Sequence, residues 1–265
     1  MKTDTDLDIR DVQNTESIFK MKIDKVGIKN LQYPLVVLDK KYHVQRTIAN
    51  INIFVDLPSE KRGTHMSRFI EVMNRFVKRA FCVDVMDEFV SDIKETLCAK
   101  EVSIELSYPF FVEKTAPVSK KTSLLDYSCR MIYNNSKEKI ERFIEVKVPI
   151  TTLCPCSKEI SEYGAHNQRG VVTLLVKHNS FIWIEDLILL IENEASCGIY
   201  PLLKRVDEKF VTEKAYTNPW FVEDIVRKIA EILKKNGRIS GFRLECENYE
   251  SIHNHNAYAE IEWNL

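Results

Sequence analysis

Residues 218–237, "NPWFVEDIVRKIAEILKKNG", read as a well-marked helix. Asn218 is the expected cap, Pro219 takes the first position, and Asn236-Gly237 stops the helix. Two strands follow, in "RISGFRLECENYE" (238–250) and "NAYAEIEWNL" (256–265). Upstream, "RGVVTLLVKH" (169–178) reads as a strand and "IWIEDLILLIENE" (182–194) as a helix. The second half of the chain therefore runs strand, paired helices, strands.

The first half has the same order. "HVQRTIANINIFVDLP" (43–58) is a strand with partial alternation at Val44 and Ile48. "RGTHMSRFIEVMNRFVKRA" (62–80) repeats Phe69, Val72, Met73, Phe76 and Val77 at helical spacing, with Thr64 as its expected cap. A second helix lies in "VMDEFVSDIKETLCAK" (85–100), and "EVSIELSYPFFVEK" (101–114) alternates as a strand. "LLDYSCRMIYNNSKEKIERFIEVKVPI" (124–150) predicts two strands joined by a polar turn at Asn134–Lys137. The fold class is α+β, with two similar modules meeting near residue 150. The expected division is a loosely ordered segment 1–20, a first module 21–150, and a second module 151–265 carrying most candidate site residues.

Composition narrows the function classes. The 265 residues are 45% hydrophobic and 29% charged, as in an ordinary folded protein. A formal charge of −1 gives no basic bias towards nucleic acid. The N-terminus, "MKTDTDLDIRDVQNTES", is too polar and acidic for a signal peptide. The longest apolar run, "FIWIEDLILLI", is short and carries two acids, so no membrane span is expected. Seven cysteines without an export signal point to free thiols in the cytoplasm. Cys82 and Cys98 sit in apolar or helical contexts and read as core residues.

Three clusters carry chemistry. "TTLCPCSKEISEYGAHNQRG" (151–170) combines Cys154, Cys156 and His166; Pro155 holds Cys154 extended, and Gly164 lets the chain turn. A disulfide, a structural metal and an active site compete here. The odd count of thiols weakens the first. A local set of three ligands leaves room for an open, catalytic position. "YESIHNHNAYAE" (249–260) holds His253 and His255, which share one face if the strand extends back to residue 251. That face continues through Ala257, Ala259, Ile261 and Trp263 and so is expected to be buried, with Glu247 or Glu250 as partners. A histidine–asparagine turn at the strand entrance is the plainer alternative. In "LLKRVDEKFVTEKAYTNPWFVED" (202–224), Lys204 and Arg205 suit phosphate, Glu208 suits a metal, and Glu223 suits paired N–H donors of guanine. Taken singly, each is also an ordinary solvated charge.

Together these runs, with "DVQN", "KVGIKNLQYPL" and "GTHMSRF", resemble GTP cyclohydrolase type IB from about residue 11 to the C-terminus. Gly170 departs from the pattern, where serine is expected after "HNQR". The resemblance implies a tunnelling fold of two tandem modules, assembled as a homotetramer with interfacial active sites. It implies metal ligands Cys154, His166 and Glu208, holding zinc or manganese with iron(II) as a further candidate. It leaves Cys156 free for catalysis with Glu250, His253 and His255, and gives Glu223 to guanine. Lys204, Arg205, His65, Ser67 and Arg68 are triphosphate candidates. The implied reaction converts GTP and water to formate and 7,8-dihydroneopterin triphosphate by metal-activated water attack at purine C8, opening folate/pterin or 7-deazaguanine synthesis. An archaeal-type cyclohydrolase giving a cyclic phosphate and a non-catalytic zinc module are the alternatives. A nitrile reductase of the same fold would leave His166 and Glu208 unexplained.

Overall fold

The computed structural model describes residues 11–136 and 138–265. A long antiparallel hairpin, β1 (Ile23–Asp39) and β2 (His43–Leu57), opens the fold. Asp39 closes its turn by accepting the N–H groups of Lys41 at 2.8 Å and Tyr42 at 2.6 Å. The chain then crosses through α1 (Met66–Phe76), the two-residue β3 (Ala80–Phe81) and α2 (Val83–Leu97). It returns as a meander of β4 (Val102–Thr115), β5 (Thr122–Asn135), β6 (Ile140–Leu153) and, after the short α3 (Pro155–Ile160), β7 (Asn167–His178). A second crossing uses α4 (Ile184–Glu194), β8 (Cys197–Gly198), α5 (Arg205–Thr217) and α6 (Val222–Lys234). Strands β9 (Ile239–Asn248) and β10 (Ala257–Trp263) finish the chain.

One sheet holds every strand, in the order β10-β9-β7-β6-β5-β4-β2-β1-β3, with β8 paired to β6. All neighbours are antiparallel except β1 and β3. The sheet is continuous through residue 150, which lies inside β6. Its core joins Phe69, Val72, Met73, Phe89 and Ile93 of the first helix pair to Ile51, Ile53, Ile104 and Leu106. On the second half, Leu187, Ile191, Ile225 and Ile229 share the core with Val146, Val172, Phe242 and Leu244. Each such side chain contributes about 1.5–3 kcal/mol on burial, so alternation in the strands and the helical stripes must agree on one face.

Several boundaries differ from the sequence expectation. Helix α6 starts at Val222 with Phe221 as N-cap, because Asn218 is committed elsewhere: it ends α5, and its Nδ2 donates to the carbonyls of Ala195 and Ser196 at 3.0 and 3.3 Å. His65, not Thr64, caps α1. Cys98 is exposed at the left-handed C-cap of α2 (φ 52°) and Cys82 is half-buried at its N-cap, so neither is a core residue. The buried thiols are Cys129, Cys197 and Cys246, and the seven cysteines are free. Residues 13–17 pair with the 60–63 loop through backbone hydrogen bonds of 2.9–3.1 Å. Residues 1–10 and Lys137 of the expected polar turn lie outside the described residues. No helix among the described residues is long and apolar enough to cross a membrane.

Candidate active site

Cys154 follows the last residue of β6 and serves as N-cap of α3, with Pro155 at the first helical position. Its extended backbone (φ −70°, ψ 116°) is the conformation that a following proline favours. The thiol accepts the Ser157 N–H at 3.4 Å, while its own N–H donates to the His166 carbonyl at 3.2 Å. Ser157 closes the loop: its Oγ donates to the Cys154 carbonyl and accepts the His166 N–H, both at 3.2 Å. Twelve residues of chain thereby return His166 to Cys154.

Buried Gln168 fixes the imidazole. Its Nε2 donates to Thr152 Oγ1 at 3.1 Å, which turns Oε1 towards His166 Nδ1 at 3.0 Å. An acceptor facing Nδ1 places the ring proton there and leaves Nε2 with a free lone pair. Glu250 Oε2 stands 3.8 Å from the same Nδ1. Beyond this group opens a cavity of about 340 Å³, lined by Cys154, Gln168, Trp220, Glu223, Asn248 and Glu250, among others. Glu223 reaches it from the first turn of α6, where the helix dipole favours an anion. Burial, with the Glu223 charge adding to it, pushes the nearby Cys246 thiol up to about 12.

The histidine pair differs from expectation. Residues 251–256 turn rather than extend, so β10 begins at Ala257 and both His253 and His255 are exposed. Their rings stack on each other, with centroids 5.0 Å apart and planes 15° from parallel. The loop that carries them leaves from Glu250 and re-enters at Ala257, both of which line the cavity. Cys156 is exposed on α3, two residues from Cys154.

Other candidates do not join this group within one chain. Lys204 caps α5, while Arg205 and Glu208 are exposed in its first turn. Among the described residues no three His, Cys, Asp or Glu side chains converge on a metal position. Cys154 and His166 have the chemistry of a borderline cation's ligands, but Glu208 does not complete the set. His65 and Arg68 border a separate small cleft at the start of α1, where His65 Nε2 meets Asp11 at 3.1 Å and Arg68 donates to the Thr96 carbonyl. Ser67 is exposed beside them.

The model for type I GTP cyclohydrolase folE2 matches residues 9–259. The chain belongs to that family. It is an enzyme of the type IB class, as the motif resemblance implied. Among the family's curated members, GTP cyclohydrolase FolE2 of Thermosipho africanus is 52% identical over 251 residues, spanning 95% of this chain and 96% of its own. FolE2 of Syntrophus aciditrophicus is 50% identical over 252 residues, spanning 95% and 98%. In fold, uricase from Arthrobacter globiformis superposes with a TM-score of 0.54 over 91% of this chain and 93% of its own, at 7% identity. That likeness concerns architecture alone: a large antiparallel sheet with helices in a mixed α+β fold.

Sequence reasoning missed Gln168, Trp220 and Asn248 as members of the site. Gln168 and Trp220 stand inside quoted motifs, yet nothing in residue type separates an orienting amide from a surface one.

Proposed function

We propose that this enzyme converts GTP and water to formate and 7,8-dihydroneopterin triphosphate. The observation that carries the reading is the gathering of Cys154, Glu223 and Glu250, from three distant motifs, around one cavity beside an oriented His166. Glu223 accepts the ring N–H and one amine hydrogen of guanine with its two oxygens. The base then lies along the wall formed by Trp220. Glu250 and the loop histidines His253 and His255 move protons as the imidazole ring opens and the sugar rearranges. Cys156 acts on the substrate from the surface of α3.

Cys154 and His166 Nε2 supply two ligands for a divalent cation, zinc, manganese or iron(II), and Glu208 joins them across a subunit interface. A cation bound there supplies Lewis acidity for hydrolysis at purine C8. Interfacial assembly as a homotetramer fits the exposure of apolar Ile160, Tyr163 and Ile252 on the two segments that bracket the cavity. It also gives Lys204, Arg205, His65, Ser67 and Arg68 a route to the triphosphate of a neighbouring site. The order of two long strands, crossing helices and two long strands occurs twice, which supports tandem modules of a tunnelling fold. The crossing helices number two in the first half and three in the second, and the repeat divides between β5 and β6, ahead of the residue 150 expected from the sequence. The test is formate release from GTP by the purified, metal-loaded protein, with the product identified by mass. A loaded, folded protein that yields no formate rejects the reading; a cyclic phosphate product moves it to the archaeal-type reaction.

A further inference from the structure

Three side chains of the segment that leads into β1 stand in solvent: Ile18 is 86% exposed, Phe19 76% and Met21 78%. Ile23, the first residue of β1, is exposed as well. Single exposed apolar residues are ordinary, but this many within six positions mark a surface that something covers. The start of the segment is tied down. Ser17 N–H donates to the Glu60 carbonyl at 2.9 Å, while Arg62 donates to Thr15 and Gly63 to Gln13, both at 3.1 Å. The Gln13 amide adds a bond to the Thr64 carbonyl at 3.2 Å. The same loop runs on into His65 and α1. Residues 18–23, His65 and Arg68 are therefore held as one piece.

A second exposed apolar surface flanks the candidate cavity: Ile160 and Tyr163 after Cys154, and Ile252 on the histidine loop. One chain cannot bring the two surfaces together. Ile23 pairs with Leu57 at the end of the sheet where β6 begins, as the Val55–Val102, Val102–Asn135 and Asn135–Ile140 pairs show. Cys154 follows the far end of that 14-residue strand. At about 3.3 Å per residue, β6 alone separates them by roughly 40 Å. Their charges are complementary. Lys20 and Lys22 alternate with the apolar residues of the first surface; they meet Glu16 and Asp24 only in exposed pairs, which hold weakly. On the second, Glu159 and Glu162 are exposed, whereas Lys158 is committed to α5, donating to the Tyr216 carbonyl at 2.7 Å.

We propose that residues 18–23 of one copy form a strap that docks on Ile160, Tyr163 and Ile252 of a second copy, with Lys20 and Lys22 facing Glu159 and Glu162. This rests on the interfacial reading of the site above and names the surface that completes it. The cavity is lined by two carboxylates, Glu223 and Glu250, and by no lysine or arginine, so one copy gives a triphosphate nothing to pair with. Because the strap is tied to the loop before α1, docking carries His65 and Arg68 to the rim of the neighbour's cavity. The apolar contact and the cations of the site thus arrive on one segment.

Two experiments on the full-length, metal-loaded protein test the docking. A photoreactive p-benzoylphenylalanine in place of Phe19 should give a dimer-sized adduct on irradiation, mapping by mass to peptides that contain 159–163 or 251–256. Glu159→Lys with Glu162→Lys should set like charges against the strap, shift sedimentation to smaller species and lower formate release by about tenfold or more. Adding Lys20→Glu and Lys22→Glu to the same chain should restore assembly and bring formate release to within about threefold of wild type, as expected for coupled sites. Damage confined to the folding of one chain would not be repaired by a second exchange so far away. An adduct within one chain, an adduct mapping elsewhere, or a fourfold variant no better than the Glu159/Glu162 pair would overturn the docking. A wild type that releases formate as a monomer also overturns it and leaves the reaction standing. An assembled wild type that releases no formate rejects the reaction, while the adduct still decides the docking.

Discussion

Cys154 and Cys156 stand two residues apart and meet different surroundings. The first is fixed by four hydrogen bonds, to Ser157, Lys158 and His166, and it lines the cavity; the second is exposed on α3. Serine is a good N-cap, so Cys154→Ser should preserve α3 while removing a soft anionic ligand. Bound metal and formate release should then fall together by about tenfold or more, with partial rescue by excess metal. Cys156→Ser should keep its metal and lose turnover at every metal concentration. Metal analysis of the two purified variants decides: equal metal loss in both would make Cys156 a ligand. The extended backbone at Cys154 was legible because proline restricts the residue before it. The geometry of the histidine pair was not legible. Extending the alternation of Ala257, Ala259 and Ile261 backwards buries His253 and His255, whereas the chain turns at 251–256 and leaves both exposed.

At the scale of elements, α5 and β1 are the longest parts that sequence pattern did not yield, beside the short α3, β3 and β8. In α5 the buried side chains are Asp207 and Ala215, so no apolar stripe announces the helix. β1 is broken in register between Ile23 and Val26 and between Ile28 and Leu31, with Asn30 at φ 59°, which scrambles the period of two. What holds α5 in place is polar. The Asp207 carboxylate accepts the N–H groups of Val118, Ser119 and Lys204, each at 2.8 Å, tying the helix start to the β4–β5 turn. Burial opposes its ionisation, but these donors hold its carboxyl well below the usual range. Between the unfolded value near 3.8 and that lower folded value, the unfolded chain binds more protons, so stability rises with pH there. The contribution is complete above about pH 4 and fades as the pH falls through the folded value. Asp207→Asn sets an amide donor against a backbone donor. It should lower the melting temperature by several degrees at neutral pH and flatten the fall in stability below about pH 4. Thermal melts from pH 3 to 7 measure both, and an acid limb as steep as in the wild type would show that Asp207 does not carry it.

For the whole molecule, the antiparallel sheet and its helix pairs were readable because one apolar face runs through both halves, as Ile51, Leu106, Val146 and Leu244 illustrate. How copies meet is another matter, since a surface destined for a partner obeys no periodicity within the chain. Tyr163 is 96% exposed and Ile160 84%, both in the segment that returns His166 to Cys154. If the protein assembles as the proposed tetramer through this surface, Tyr163→Glu should shift it to smaller species in sedimentation, with loss of activity and little change in secondary structure. A variant that stays tetrameric would place the interface elsewhere.

The two ends of the sheet differ in charge, and this bears on which edges two newly made copies of the chain can bring together. A terminal strand offers unpaired backbone groups to any other strand it meets, which is the usual start of aggregation. At one end β10 carries Glu260 and Glu262 with no basic residue between Ala257 and Trp263. At the other, β1 is covered by β3 only at Val36 and Val37, leaving a bulged stretch that bears Lys25 and Lys29 against the single acid Asp24. Like ends repel, acid against acid or base against base, so growth of one sheet onto an identical edge is disfavoured. Unlike ends attract, and the order in which strands may add is thereby restricted before any interface has formed.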